Sequence, residues 1–407
     1  MKYIVIVADG MADYPIDELD GKTPLEAAKT PNMDFIARNG VVGQANMVPK
    51  NMPPGSDVAN LSIFGYDPKQ YYTGRGPLEA ANLGVKLGKD EVVFRCNLVT
   101  IAGDIMSDYS SGHISTDEAG VLIELLNKRL ATKFIRFYPG TSYRHIMCVK
   151  PTPKYSEFTA RCTPPHDITG KSIAEYLPSG EGGQFLIDLM KMSNNILMRH
   201  EINQVRVDLG ENPANMIWLW GQGKKPDLPK FYSKYKVKGS VISAVDLLKG
   251  IGRLAGLDII DVPNITGYYD TDYKAKAEYG LRSLEDKDFI LVHIEAPDEA
   301  GHNGDLREKI TAIENIDREV VSRFLRYVEK KEDARILILP DHPTPVKIKT
   351  HTADAVCFAM CGEGIMADSV QSYSEYTSKS GSLNFKEGHK LMNEFLNTGN
   401  SKLCLNL

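Results

Sequence analysis

Apolar residues along this chain gather into runs that end abruptly in polar ones. YIVIVAD (3–9), DFILVHIEAPD (288–298) and ARILILPDH (334–342) are the clearest, and each reads as a buried strand. Between them the period changes. DLREKITAIENIDREVVSRFLRYVEKK (305–331) carries apolar residues at roughly helical spacing. Its early Asp305 and Glu308 and its late lysines suit the helix dipole. Strands alternating with helices predict an α/β fold whose sheet is mostly parallel and flanked by helices.

The middle of the chain breaks this pattern. From about 88 to 232, strand-like pieces such as EVVFRCNLVTI and YRHIMCV mix with Pro-rich loops such as CTPPHD and with the Gly-rich LPSGEGGQF. The expectation is a smaller inserted α+β domain, 88–232, between the two parts of a core domain, 1–87 and 233–407. No internal repeat or low-complexity tract interrupts either.

Composition narrows the partners. The 407 residues suffice for two or three domains, and 42% hydrophobic with 25% charged residues is ordinary for a soluble globular chain. A net charge of −5 with interspersed signs argues against a general nucleic-acid binder. It leaves room for a local basic pocket that takes a small phosphorylated metabolite. Cys96, Cys148, Cys162, Cys357, Cys361 and Cys404 form no C-x-x-C pair, which suggests a reduced, cytoplasmic chain. No apolar run reaches the roughly 18 residues of a membrane span, so no membrane partner is expected. MKYIVIVADG runs straight into Asp9-Gly10 and reads as a first strand, not a signal peptide.

In open α/β sheets ligands gather at the carboxyl ends of the strands. There the three apolar runs deliver Asp9, then Asp298 and His302 in PDEAGHNGD, then Asp341 and His342 in LPDHPTP, with His351 following in KTHTAD. An Asp after a strand is often a mere cap, and a lone His is often structural. Six metal-capable residues at three strand ends are hard to explain that way. Such a set suits two divalent cations, with mixed Asp/His ligation favouring Mn²⁺ or Zn²⁺ over Ca²⁺ and leaving Mg²⁺ open. Two cations can stabilise both the attacking and the leaving oxygen of a phosphoryl displacement. Ser56, in NMPPGSDVANLSIFGYDP (51–68), stands before a helix-like run, either as its cap or as a nucleophile with a phosphate-binding helix end behind it. GIGRLA (250–255) follows a helical pattern rather than a strand, DITGKS (167–172) lacks the first P-loop glycine, and Ser56 is in no G-x-S-x-G elbow.

ADGMAD (8–13), PPGSDVANLSIFGYDP (53–68), YTGRGPLEAA (72–81), HIEAPDEAGHNGD (293–305), LPDHPTP (339–345) and THTADAV (350–356) together resemble the archaeal-type cofactor-independent phosphoglycerate mutases of the alkaline phosphatase superfamily. The resemblance implies an alkaline-phosphatase-like core split by a substrate-binding insert. It implies that Ser56 becomes phosphoserine. It also implies that Asp9, Ser56, Asp341 and His342 hold one metal and Asp298, His302 and His351 the other. The serine would take phosphate from one glycerate hydroxyl and return it to the other, interconverting 2- and 3-phosphoglycerate.

Such an enzyme needs cations for a carboxylate and a phosphate, and Arg75, Arg144 and Lys249 are candidates. Family members commonly carry arginines in a loop that here reads SDYSSGHIS (107–115), where His113 is the candidate cation. They also commonly have Arg-Gly where this chain has Trp220-Gly221. In these stretches the chain resembles a branch proposed to act as homoserine kinase, for which PPHDITGK (164–171), with His166 and Asp167, is a candidate substrate loop. A phosphatase and a non-catalytic metabolite binder are the remaining alternatives.

Overall fold

The three apolar runs become three neighbouring parallel strands. In the computed structural model, which describes residues 1–152 and 158–397, Lys2–Ala8 lies between Phe289–Ile294 and Ala334–Leu339. The registers set Ala8 beside Ile294 and Val7 beside Leu339, so all three strands end at the same edge of the sheet. Helices cover both faces of a parallel sheet, which is why these strands are apolar without alternation. The full order across the sheet is Leu383–Phe385, Gly40–Ala45, Val356–Gly362, Ala334–Leu339, Lys2–Ala8, Phe289–Ile294, Gly239–Ile242 and Asp258–Ile259. Only the two pairings made by Val356–Gly362 are antiparallel.

The helical pattern of 305–331 forms three joined pieces, Leu306–Asn315, a π-helical turn Ile316–Val321, and Ser322–Glu329. Asp305 caps the first by accepting from the Glu308 amide at 2.9 Å. Ile313, Ile316, Val320 and Phe324 from this rod share one buried cluster with Ile4, Ile6, Ile290, Val292, Ile336 and Ile338 from the strands.

The chain divides into two units, Met1–Tyr72 with Leu228–Leu407, and Thr73–Asp227. The breaks therefore fall at 72/73 and 227/228 rather than at the expected 87/88 and 232/233. Helix Arg75–Asn82, which composition alone assigned to the core domain, packs instead on strands Val92–Ala102 and Met216–Lys224. That second unit is α+β. Its long strand Val92–Ala102 pairs antiparallel with Ile105–Asp108, Arg144–Val149 and Met216–Lys224. Helices Thr116–Leu130 and Gly183–Leu197 pack in its own apolar core around Trp218, Phe94 and Leu122.

Among the described residues the five cysteines are all free, and no helix is long and apolar enough to cross a membrane. Cys404 lies outside the described residues.

Candidate functional site

At the common end of the three strands the chain must turn, and each turn carries its polar side chains inward. Asp9 follows strand 2–8 directly, and Asp341 and His342 follow strand 334–339 after one proline. Beyond strand 289–294 a helix, Ala296–Asn303, starts at once and sets Asp298 and His302 one turn apart on the same face. Gly301 does not break this helix. A Cβ there would collide with the carbonyl oxygen of Thr344, so only glycine lets the helix come this close. Gly10 is required twice over, by its φ of +61° and by the approach of Asp298 and Thr344.

The result is a buried cluster of carboxylates and imidazoles. Asp298 faces His302 Nε2 at 3.3 Å and His351 Nε2 at 3.4 Å, and those two ring nitrogens lie 2.8 Å apart. His342 Nε2 faces Asp341 at 3.4 Å and Asp9 at 3.6 Å. Its ring also lies against that of His351, with centroids 4.0 Å apart, so His342 stands between the two ends of the cluster. His293 is the residue that sequence reasoning missed. It sits inside strand 289–294, fully buried, with Nε2 3.0 Å from an Asp9 oxygen. The signal was a single polar residue within an apolar strand run.

Two groups satisfy the spacing a cation needs: Asp298, His342 and His351, and Asp9, His293 and Asp341. The donor set fits Mn²⁺ or Zn²⁺ chemistry, with imidazole nitrogens and carboxylate oxygens converging. A further observation fits the same conclusion. Asp9 Oδ1 is buried yet has no hydrogen-bond partner, a costly state for a carboxylate oxygen unless something positive meets it.

Electrostatics here pull neighbours apart. Burial, then the charges of Asp341 and Asp298, raise Asp9 well above the usual carboxylate range. Burial acts the same way on Asp298, but hydrogen bonds from His302 and His351 outweigh it and hold that carboxyl well below. His302, despite partial burial, is raised to about 9 by Asp298. Burial pushes His342 down and takes His293 down to about 3, so both imidazoles are neutral near pH 7.

Ser56 opens the helix Ser56–Ile63, but Gly55 occupies the cap position and no side chain caps there. The Ser56 hydroxyl is thus not spent on its own helix. Its Oγ lies 3.1 Å from His342 Nε2. Asn60, one turn on, reaches back to the Ser56 carbonyl at 2.9 Å and to Asp341 Oδ2 at 2.8 Å. That side chain locks the helix end to the cluster. Asp57 is held by Tyr72 at 2.5 Å.

A family model described as 2,3-bisphosphoglycerate-independent phosphoglycerate mutase matches residues 37–203. The chain is 53% identical over 393 residues to 2,3-bisphosphoglycerate-independent phosphoglycerate mutase 2 of Methanothermobacter thermautotrophicus, covering 96% of each chain. It is 50% identical over 394 residues to the 2,3-bisphosphoglycerate-independent phosphoglycerate mutase of Methanosarcina barkeri, covering 96% of this chain and 98% of that one. The solved cofactor-independent phosphoglycerate mutase of Thermoplasma acidophilum superposes with a TM-score of 0.65 at 28% identity, over 98% of this chain and 99% of that one. The chain belongs to the 2,3-bisphosphoglycerate-independent phosphoglycerate mutase family.

Against that membership, the sequence-derived candidates for binding substrate divide between the units. Lys249 lies half-buried on helix Asp246–Ala255 of the first unit. Arg75, His113, Arg144, His166 and Asp167 all lie in the second. There the His166 ring meets Trp220 at 5.3 Å and Tyr109 at 6.1 Å. Tyr143 meets Tyr109, His113 and the Arg144 guanidinium at 5.6, 6.0 and 5.5 Å. Asp167 is exposed, 3.7 Å from His166.

A second missed residue organises this region. Arg95, buried within strand 92–102, lies over Trp220 at 4.8 Å, with Arg75 over the same ring at 5.7 Å. Both guanidinium groups pair with buried Glu79, at 2.5 and 2.8 Å. Burial would raise Glu79, but Arg95 and Arg75 outweigh it and keep the carboxylate ionised. The position where family members commonly carry arginine thus holds an indole flanked by two arginines from neighbouring elements.

Proposed function

We propose that this enzyme interconverts 2- and 3-phosphoglycerate by passing the phosphoryl group through Ser56. The observation that carries the reading is the Ser56 hydroxyl, unspent as a cap and placed at the helix end against His342 within the Asp/His cluster. Asp9, Ser56, Asp341 and His342, with His293 beside Asp9, would hold one divalent cation and Asp298, His302 and His351 the other, His342 lying within reach of both groups. When bound, the pair would supply charge neutralisation on the phosphoryl oxygens and a lowered pKa for the serine hydroxyl.

Within that frame each residue has a task. His342, neutral and buried, faces the Ser56 Oγ–H with one ring nitrogen and keeps the oxygen aimed out of the helix end. Ser56 Oγ gives up its proton and forms a bond to phosphorus as the bond to the first glycerate oxygen breaks, and that oxygen takes up a proton in exchange. The other glycerate hydroxyl then attacks the phosphoserine, loses its proton and frees Ser56. No water enters the balance. Amides at the start of helix 56–63 offer donors to the phosphoryl oxygens. Arg75, His113, Arg144, His166 and Lys249 are the proposed hold on the glycerate carboxylate and hydroxyls, with Asp167 orienting His166.

Relatives near 50% identity that carry the mutase name favour this reading over homoserine kinase. The case for the kinase rested on missing arginines, and at one of the two positions Arg75 and Arg95, both paired with Glu79, flank Trp220. Ser56→Ala should abolish isomerisation of 3-phosphoglycerate while leaving unfolding of the metal-free protein close to wild type. Full retained turnover overturns the role of Ser56. Phosphorylation of homoserine with ATP, without isomerisation, overturns the substrate.

A further inference from the structure

Thr344 belongs to none of the sequence-derived sites, yet it touches two members of the cluster, Asp298 and His342. It is fully buried. Its hydroxyl donates to Asp298 Oδ1 at 2.5 Å and lies 3.2 Å from His342 Nδ1. A hydroxyl has one proton to give. With that proton on Asp298, the oxygen can only accept from His342, so Nδ1 carries the hydrogen. Nε2 is then left with its lone pair, and it is Nε2 that faces Ser56, Asp341 and Asp9.

The backbone of Thr344 is held as well. Its carbonyl accepts from Lys309 Nζ at 2.8 Å, and the same ammonium bonds Asp13 Oδ2 at 2.8 Å and the Ala12 carbonyl at 3.3 Å. Its amide donates to the Ala12 carbonyl at 3.2 Å, and Asp13 Oδ2 also accepts from the Val346 amide at 3.1 Å. Lys309 therefore ties the segment after Asp9 to the segment after His342. The threonine methyl faces Gly301, and its hydroxyl lies where a side chain at Gly10 would have to go. The missing side chains of these two glycines leave the space that Thr344 occupies.

We propose that Thr344 is a positioning residue that orients Asp298 and fixes the tautomer of His342 at once, preparing the cluster for divalent cations. This rests on the metal-dependent reading of the site given above. Groups that hydrogen-bond metal ligands from behind typically contribute 10–100-fold in affinity.

The test is calorimetric titration of the metal-free, full-length protein with Mn²⁺, beside thermal unfolding of the same metal-free samples. Thr344→Val, which keeps the shape and removes the hydroxyl, should weaken Mn²⁺ binding about 10–100-fold. Thr344→Ser, which keeps the hydroxyl, should stay close to wild type. Equal affinity in Thr344→Val and wild type overturns the proposal. So does a loss in Thr344→Ser as large as in Thr344→Val, since packing alone would then account for it. Should Thr344→Val not fold, Thr344→Ala carries the same criterion. A wild-type protein that takes up no divalent ion fails at the metal site itself, which separates that failure from one confined to Thr344.

Discussion

Two buried clusters of charge in this molecule are built on opposite terms. In the first unit, Asp9, Asp298 and Asp341 meet four histidines whose ring nitrogens face carboxylates and one another, and Asp9 keeps an oxygen without a partner. In the second, Glu79 is met by Arg95 and Arg75, and Arg95 stacks on Trp220. The first cluster is short of positive charge and, on the proposed reading, is completed from outside the chain by divalent cations. The second is completed by the chain itself. On that reading one arrangement is a binding site and the other a self-contained scaffold.

The largest expected effect comes from inverting the two. Glu79→Gln leaves Arg95 buried without its partner, and breaking a buried pair costs about 3–5 kcal/mol. Arg95 falls only to about 10 under burial, so it stays charged near neutral pH. Urea unfolding of metal-free protein should show that loss whether or not cations are later added. Asp9→Asn should behave the opposite way. Removing a repelled, buried carboxylate should not lower the unfolding free energy of metal-free protein, while the rise in melting temperature on adding Mn²⁺ is lost. Equal losses of metal-free stability in the two variants would erase the distinction.

The two clusters also differed in how far the sequence revealed them. Asp9, Ser56, Asp298, Asp341 and His342 stood out because each follows an apolar run or opens a helix, where a polar residue needs a reason, and His302 and His351 stood out as metal-capable neighbours of those residues in PDEAGHNGD and KTHTAD. His293 and Arg95 lie inside strands, and their burial depends on which neighbours the sheet supplies, which no local pattern encodes. Thr344 is an ordinary loop residue until the close approach of Gly10 and Gly301 is known. The parallel sheet was legible from its unbroken apolar strands. The start of the second unit was not, because helix 75–82 chooses its unit by packing on strands 92–102 and 216–224 rather than by composition.

A third buried group sharpens the contrast through pH. Glu375 accepts from the Asp13 amide at 3.1 Å and from Thr23 at 2.7 Å, next to the Lys309 network that ties the two ligand segments. Burial raises its carboxyl to about 7, from about 4.3 in an unfolded chain. The folded protein therefore holds this proton more tightly than the unfolded one. Its contribution to stability is largest below about pH 4.3 and is lost as pH rises to about 7. Between pH 5 and 8 metal-free wild type should lose about 2–3 kcal/mol that Glu375→Gln keeps, read as the difference in urea unfolding between the two proteins. Identical pH profiles would mean that Glu375 ionises as freely inside as outside, and that the support beneath the cluster is wet rather than sealed.

The smallest effect tests whether the arginine cluster is as self-sufficient as its geometry implies. The Trp220 indole N–H donates to Asn97 Oδ1 at 3.1 Å, and the same oxygen lies 3.4 Å from Arg95 Nη2. Trp220→Phe keeps an aromatic face beneath the two guanidinium groups but drops the N–H and weakens the stacking, for a cost of about 1 kcal/mol. If the indole serves only this scaffold, stability falls by that amount and the Michaelis constant for 3-phosphoglycerate does not move. A Michaelis constant that rises while turnover holds would place Trp220 among the substrate contacts. The arginines above it would then serve ligand and scaffold together, and the line drawn between a cluster completed from outside and one complete in itself would no longer hold.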